Sequence, residues 1–232
     1  MPESEYDNDF LRQRMMGPNS VRLLHELLAH VDLTGCRRVL DLGCGQGISS
    51  IALAKEIPAP IVAYDLWIDA ATNQECFDSV GLGDRILAVH GDVHDMPFGR
   101  RVFDAVVCID SYFYYGANAE FLDAHLAPYL RPNATIAIAT PGFKTDFPNG
   151  VPEELVPFWQ DDINFYSAKW WSDLFAKSSA VKLTECFSLS SQHEAWQDWL
   201  KCDNEYARRD IDMMKAEGGK YFDMIGLIAT VL

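Results

Sequence analysis

The segment Val39-Leu40-Asp41-Leu42-Gly43-Cys44-Gly45-Gln46-Gly47 constrains this chain more than any other. An apolar run enters three glycines at alternate positions, and a helical pattern starts at Ile48. Glycines at such a point let a strand turn sharply into a helix while the backbone approaches a ligand, in space that a Cβ would fill. A dinucleotide-binding turn needs G-x-G-x-x-G or a closing alanine, but the third such position here is Ile48. The spacing is G-x-G-x-G instead. Asp41 stands two residues before the first glycine, where a carboxylate suits a ligand's ammonium group and repels a pyrophosphate.

Around this turn, short β-branched runs alternate with longer helical patterns, the order that builds a parallel sheet with helices on both faces. Strands are expected at 38–42, 61–65, 86–90, 103–110 and 134–140, and helices at 48–56, 69–80 and 119–130. Gly81 stops the second helix and Asp69 is its natural cap. Ahead of the repeat, an arm through residue 35 carries an amphipathic helix with Val21, Leu24, Leu27, Leu28 and Val31, capped by Asn19 or Ser20. Two further pieces read as lid insertions. About 142–167, rich in Pro, Phe, Trp and Asp, reads as a loop with a short helix. The second, 193–219, is partly helical and lies between strand-like runs at 181–189 and 222–231, with Gly218-Gly219 as a hinge. The expected division is an N-terminal helical arm, 1–35, and one domain, 36–232, that carries both insertions.

Charge narrows the partners. Asp plus Glu number 34 against 19 Lys plus Arg, a formal net charge of −15, which repels a phosphate backbone or an anionic bilayer. The longest basic runs are the pairs Arg37-Arg38, Arg100-Arg101 and Arg208-Arg209, and no apolar run approaches the ~20 residues of a membrane span. The six cysteines form no C-x-x-C pair, the acidic start is unlike a signal peptide, and the six histidines, 25, 30, 90, 94, 125 and 193, show no ligand spacing. The expectation is a cytoplasmic chain without metal, monomeric or homodimeric, that acts on a small molecule rather than on nucleic acid or membrane.

The glycine turn with its acid resembles the first motif of class I S-adenosylmethionine-dependent methyltransferases, and later landmarks follow in that family's order. Asp65 ends the second strand 18 residues after Gly47, Gly91-Asp92-Val93 follows the third, and Phe103 to Asp110 (FDAVVCID) resembles the fourth-strand motif. Leu130-Arg131-Pro132-Asn133 resembles the Leu-Lys-Pro-Gly turn, with Asn133 in place of glycine, a residue that also tolerates positive φ. The likeness covers about Val39 to Thr140; a looser likeness of the arm and the Trp-rich insertion points to a bacterial small-molecule branch. The resemblance implies a Rossmann-like, seven-stranded, mostly parallel sheet with helices on both faces and an antiparallel last strand. It implies S-adenosylmethionine as cofactor, with S-adenosylhomocysteine as product. The cofactor-binding set it implies is Asp41, Gly43, Cys44, Gly45, Gly47, Asp65 for the ribose hydroxyls, Leu66, Asp92 and Val93 for the adenine, and Asp110 near the methionine part.

Transfer from an activated donor chiefly requires that nucleophile, methyl carbon and sulfur be held in line. Where the acceptor must lose a proton, the candidates are Tyr112 and Tyr115, with Tyr114 between them, just after the fourth strand, and His193 in the late insertion. Aromatic packing is the competing account of the tyrosines, and a surface or capping role that of His193. Two other functions stay open: a non-catalytic S-adenosylmethionine-binding protein, and an NAD-dependent oxidoreductase, for which Asp65 would also suit the ribose but the glycine spacing does not.

Overall fold

The computed structural model describes residues 5–160 and 164–232. Two short helices, α1 (Asp9–Arg12) and α2 (Ser20–Leu28), lead into β1 (Val39–Leu42), α3 (Ile48–Glu56), β2 (Ile61–Asp65), α4 (Ala70–Ser79), β3 (Ile86–His90) and β4 (Phe103–Ile109). The later half holds β5 (Leu130–Phe143), β6 (Tyr166–Ser167), α5 (Ala168–Phe175), β7 (Val181–Ser188), α6 (Gln192–Leu200), α7 (Glu205–Glu217) and β8 (Phe222–Val231). The sheet runs β3-β2-β1-β4-β5-β8-β7, parallel from β3 to β5, while β8 is antiparallel to both of its neighbours. The expected seven strands are thus joined by an eighth, the two-residue β6, which pairs parallel to the end of β5.

Every residue of β1 and β2 is buried, as in a parallel sheet covered on both faces. One face packs Leu23, Leu24, Leu27, Ile51 and Trp199, and the other packs Phe103, Phe121, Trp171 and Phe175. A fully buried side chain of this size contributes roughly 1.5–3 kcal/mol, so the rows on both faces hold the strand tips in place. Asn19 caps α2 by accepting from Val21 N, and Asp69 caps α4 by accepting from Ala71 N and Thr72 N. Asn133 adopts φ 65°.

The structure corrects three local expectations. The helix expected at 119–130 is a π-helical turn, Leu122–Leu126, followed by a 3-10 turn, Ala127–Tyr129, because Pro128 has no N–H to continue an α-helix. Gly218 and Gly219 take φ 57° and 74° and end α7 in the left-handed cap geometry, so they stop a helix rather than form a hinge. Among its described residues the 142–167 segment begins and ends in strands, with the 3-10 turn Val156–Phe158 between them.

The arm is fastened to the late insertion. Asn19 Nδ2 donates to Asp198 Oδ2 at 2.8 Å, Arg22 Nε donates to the same oxygen at 2.5 Å, and Glu26 accepts from the backbone N–H groups of Ser190 and Ser191. Burial would raise the Asp198 carboxyl, but the bonds from Arg22, Asn19 and Lys201 outweigh it and hold the group below its usual range. The arm and α6 therefore cover the carboxyl ends of the strands together.

Candidate functional site

The turn after β1 is shaped by the chain itself. Gly43, Gly45 and Gly47 have φ 74°, 53° and 79°, and the N–H groups of Gly43 and Cys44 both donate to Tyr64 O, which pins the turn to β2. A Cβ on Gly43 would lie 2.1 Å from Ser111 Oγ, and one on Gly47 would lie 2.5 Å from the Phe77 ring. Those glycines are required by the packing beneath the turn. A Cβ on Gly45 would instead meet Met16 Sδ at 3.1 Å, so the arm lies over the middle of the turn.

The carboxylates at the strand tips differ in environment. Asp41 is fully enclosed, and its Oδ2 accepts from Ser49 Oγ and Ser50 Oγ at 2.7 and 2.5 Å, which ties β1 to the first turn of α3. Its Oδ1 is buried with no partner among the described residues, and burial pushes the group up to about 6. Asp65 accepts from Gly45 N, Trp67 N and Ile68 N at 2.8 to 2.9 Å and thereby joins the β1 and β2 turns. Asp92 accepts from His94 N and Nδ1, and these bonds lower its carboxyl; Tyr64 OH donates to the Asp92 carbonyl. Val93 is buried. Asp110, at the tip of β4, takes φ 58°, and burial, with the charge of Asp210 in α7 added, pushes its carboxyl well up.

Exposed apolar side chains ring the same edge. Met16, Leu66, Trp67 and Tyr114 are four of the nine large exposed hydrophobic residues among those described, with Trp67 at 62% and Leu66 at 50% exposure. Trp67, after β2, meets Tyr114, after β4, edge-on with ring centroids 5.0 Å apart, so the two span the turn of the strand between them. Water-facing apolar side chains gathered in one place mark a binding edge. An adenine base with a ribose and an ammonium-bearing tail fits this donor set: apolar flanks, acceptors at two strand tips, and an enclosed carboxylate oxygen lacking a partner.

The residues expected to handle a proton are not brought together. Tyr112 is fully buried among Phe121, Trp171 and Phe175, its hydroxyl has no partner among the described residues, and burial pushes it well up. Tyr115 OH lies 3.2 Å from Cys108 Sγ and 3.1 Å from Ser111 Oγ, and Ser111 donates to Leu42 O, which makes this cluster a brace behind the glycine turn. Burial pushes the Tyr115 hydroxyl well up and the Cys108 thiol up to about 12, and the enclosed Cys44 thiol lies well up too. His193 is exposed on α6, 2.9 Å from Gln197 Nε2. Sequence reasoning missed Asn73, whose Nδ2 donates to Gly45 O at 2.9 Å, as well as Met16, Ser111 and Asp210. Asn73 could have been found from its place one helical turn before Phe77, on the inner side of α4.

Residues 39–133 match the family model described as a methyltransferase domain. That stretch, from the first strand to the start of the fifth, is similar to methyltransferase domains. It is 35% identical over 115 residues to a fatty-acid O-methyltransferase of Mycolicibacterium smegmatis, covering 49% of this chain and 40% of that methyltransferase. A second methyltransferase, O-methyltransferase rstn1 of Aspergillus nomiae, is 26% identical over 161 residues, 66% of this chain and 67% of its own length. Among solved structures, geranyl diphosphate C-methyltransferase of Streptomyces coelicolor, crystallised with Mg2+, geranyl diphosphate and S-adenosylhomocysteine, superposes with a TM-score of 0.74. It covers 92% of this chain and 81% of that one at 13% identity, so the likeness is one of fold. The chain spans two-fifths or less of several curated relatives that it matches. None of its described helices is long and apolar enough to cross a membrane, and the described residues hold no cluster of three or more His, Cys, Asp or Glu placed for a metal ion.

Proposed function

We propose that this chain transfers the methyl group of S-adenosylmethionine to a nucleophilic atom of a small molecule. The observation that carries the proposal is the row of strand tips: a left-handed glycine turn after β1, joined through Asp65 to an exposed apolar edge at Leu66 and Trp67. When bound, the cofactor supplies a methyl group already activated on a sulfonium. Asp65 would accept from the ribose, since its Oδ2 takes one backbone bond and keeps a lone pair for a hydroxyl. Leu66 flanks the adenine, with Asp92 and Val93 at its edge. Gly43, Cys44, Gly45 and Gly47 would hold the methionine part, with Asp41 as the carboxylate for its ammonium group and Asp110 near it. Met16 and the Trp67–Tyr114 pair exclude water from above, which strengthens each polar contact below.

The acidic surface favours a small acceptor over a polyanion. Its O-, N- and C-methylating relatives support a small acceptor and leave the atom open. Titration calorimetry with S-adenosylmethionine and NAD in parallel tests the donor; binding of NAD alone refutes the proposal. A screen for transferred radiolabelled methyl over small-metabolite pools, with tRNA and protein as controls, tests the acceptor. Label chiefly in tRNA or protein refutes the small-molecule assignment, and donor binding without transfer to any pool favours a non-catalytic role.

A further inference from the structure

A cavity of about 200 Å³ lies at the end of the sheet opposite to the proposed donor site. Arg100 and Arg101 stand just before β4, Leu130 and Pro132 open β5, and Val231 closes the antiparallel β8. The lining thus comes from the feet of the parallel strands, whereas the glycine turn, Asp65 and Asp110 lie at their tips. Its walls are fastened to one another. Arg101 N donates to Pro128 O at 3.0 Å, Val102 N to Tyr129 O at 2.9 Å, Arg131 Nε to Arg101 O at 3.1 Å, and Leu232 N to Ala180 O at 2.9 Å. A ligand therefore meets a shape that is already set. The volume is below the ~300–1,000 Å³ of sites for drug-sized ligands and above the roughly 150 Å³ that takes a benzene, so it suits one ring or a short branched chain with a polar head.

The charge at this place runs against that of the molecule. The chain carries a net −15, and Arg12, Arg22, Arg37, Arg131, Arg208 and Arg209 each lie in an ion pair. The exposed guanidiniums of Arg100 and Arg101 have no hydrogen bond or ion pair among the described residues. Arg101 also takes φ 55°, a left-handed conformation that glycine adopts freely and that a Cβ makes costly. Strain of this kind persists where the side chain it presents is used. Asp123, the acid in the lining, is already engaged: Oδ1 accepts from Ser178 Oγ, and Oδ2 accepts from Ser179 N at 2.9 Å and Ser179 Oγ at 2.7 Å. Burial would raise its carboxyl, but these bonds outweigh it and keep the group charged. Two forked donors beside an apolar floor call for an oxyanion on an apolar body, and the nearby charge of Asp123 weighs against a dianion.

We infer that this cavity binds a small carboxylic acid as its anion, with the carboxylate on the Arg100 and Arg101 guanidiniums and the apolar body over Pro128, Leu130, Pro132 and Val231. The site shares no residue with the one proposed for the donor, so the inference does not depend on the methyltransferase reading.

The test is titration calorimetry of the full chain in a phosphate-free buffer of low salt, with benzoate and 3-methylbutanoate against benzamide, 3-methylbutanamide and inorganic phosphate. The carboxylates should bind at least about tenfold more tightly than either the amides or phosphate. Arg100→Gln should lower benzoate affinity about tenfold. Arg101→Asn, which removes the charge and tolerates positive φ, should do the same without lowering the unfolding midpoint. Arg208→Gln, which removes an equal charge from α7, should leave benzoate affinity unchanged, and so should saturating S-adenosylhomocysteine. Amides or phosphate that bind as tightly as benzoate overturn the inference, as does the absence of carboxylate binding at millimolar concentration. A loss in Arg208→Gln equal to that in Arg100→Gln would reduce the effect to net charge, and a lowered midpoint in Arg101→Asn would make that residue structural; either result refutes the site. Competition between benzoate and S-adenosylhomocysteine refutes it too, since the carboxylate would then sit at the strand tips. Failure of the parent chain to bind S-adenosylhomocysteine counts against the methyltransferase proposal and leaves the other arms of this test standing.

Discussion

Asp41→Asn isolates what an enclosed carboxylate does to this fold. In the parent, burial outweighs the Ser49 and Ser50 hydrogen bonds and raises the Asp41 carboxyl from 3.8 to about 6. The folded state therefore binds this proton more tightly than the unfolded chain does. Below the unfolded value nothing is lost. Between there and about pH 6 the folded state holds more protons, so stability falls as pH rises, and above about 6 the full loss is in place. That difference corresponds to about 3 kcal/mol at neutral pH. Asn does not titrate, its carbonyl oxygen can accept from both serines, and the fit of its amide beside the former Oδ1 position costs the same at every pH. The free energy of unfolding of the variant minus that of the parent should thus grow by about 3 kcal/mol from about pH 3 to about pH 7, because the other titrating groups cancel in the difference. Urea unfolding at several pH values measures it. A difference that stays flat, or that shrinks as pH rises, refutes the account of Asp41 as a buried acid held against its charge.

Gly47→Ala adds a left-handed penalty of about 1–2 kcal/mol to overpacking of about 1–3 kcal/mol against the fully buried Phe77 ring. Gly81→Ala, at φ 72° with nothing within 4 Å, carries the first term alone, and equal unfolding midpoints for the two would refute the packing argument. Asp198→Ala removes the buried carboxylate that Arg22, Asn19 and Lys201 share and should cost about 3–5 kcal/mol in unfolding, with faster proteolysis of the arm; a loss below about 1 kcal/mol would show the fastening to be idle. S-adenosylmethionine should shift Trp emission in the parent and not in Trp67→Phe, and an unchanged shift in that variant would remove Trp67 from the site edge.

The elements that were legible in the sequence are those whose cause is local. The strand at Ile61–Asp65, the caps Asn19 and Asp69, and the positive φ at Asn133 each follow from a few consecutive residues and the backbone chemistry of one of them. Tyr112 shows where this stops. Counting by twos along the fourth strand sends a side chain toward the crevice only if the pleat continues, but Asp110 turns left-handed and Tyr112–Tyr114 wind into a 3-10 turn, so Tyr112 goes into the core and Tyr114 into solvent. A single residue of unusual φ thus reverses the inside and outside of everything after it, and only Gly, Asn or Asp signals that such a reversal is cheap. Contacts between distant segments set a second limit: no window of sequence contains α7 against β8, α6 against the arm, or the arm's Gly17 against Asp110. Residues that hold a donor lie on consecutive strand tips and follow a fixed order along the chain. The insertions are placed by packing between distant segments, and for that reason the residues proposed for the donor are legible in the sequence while the surroundings of the insertions have to be read from the fold.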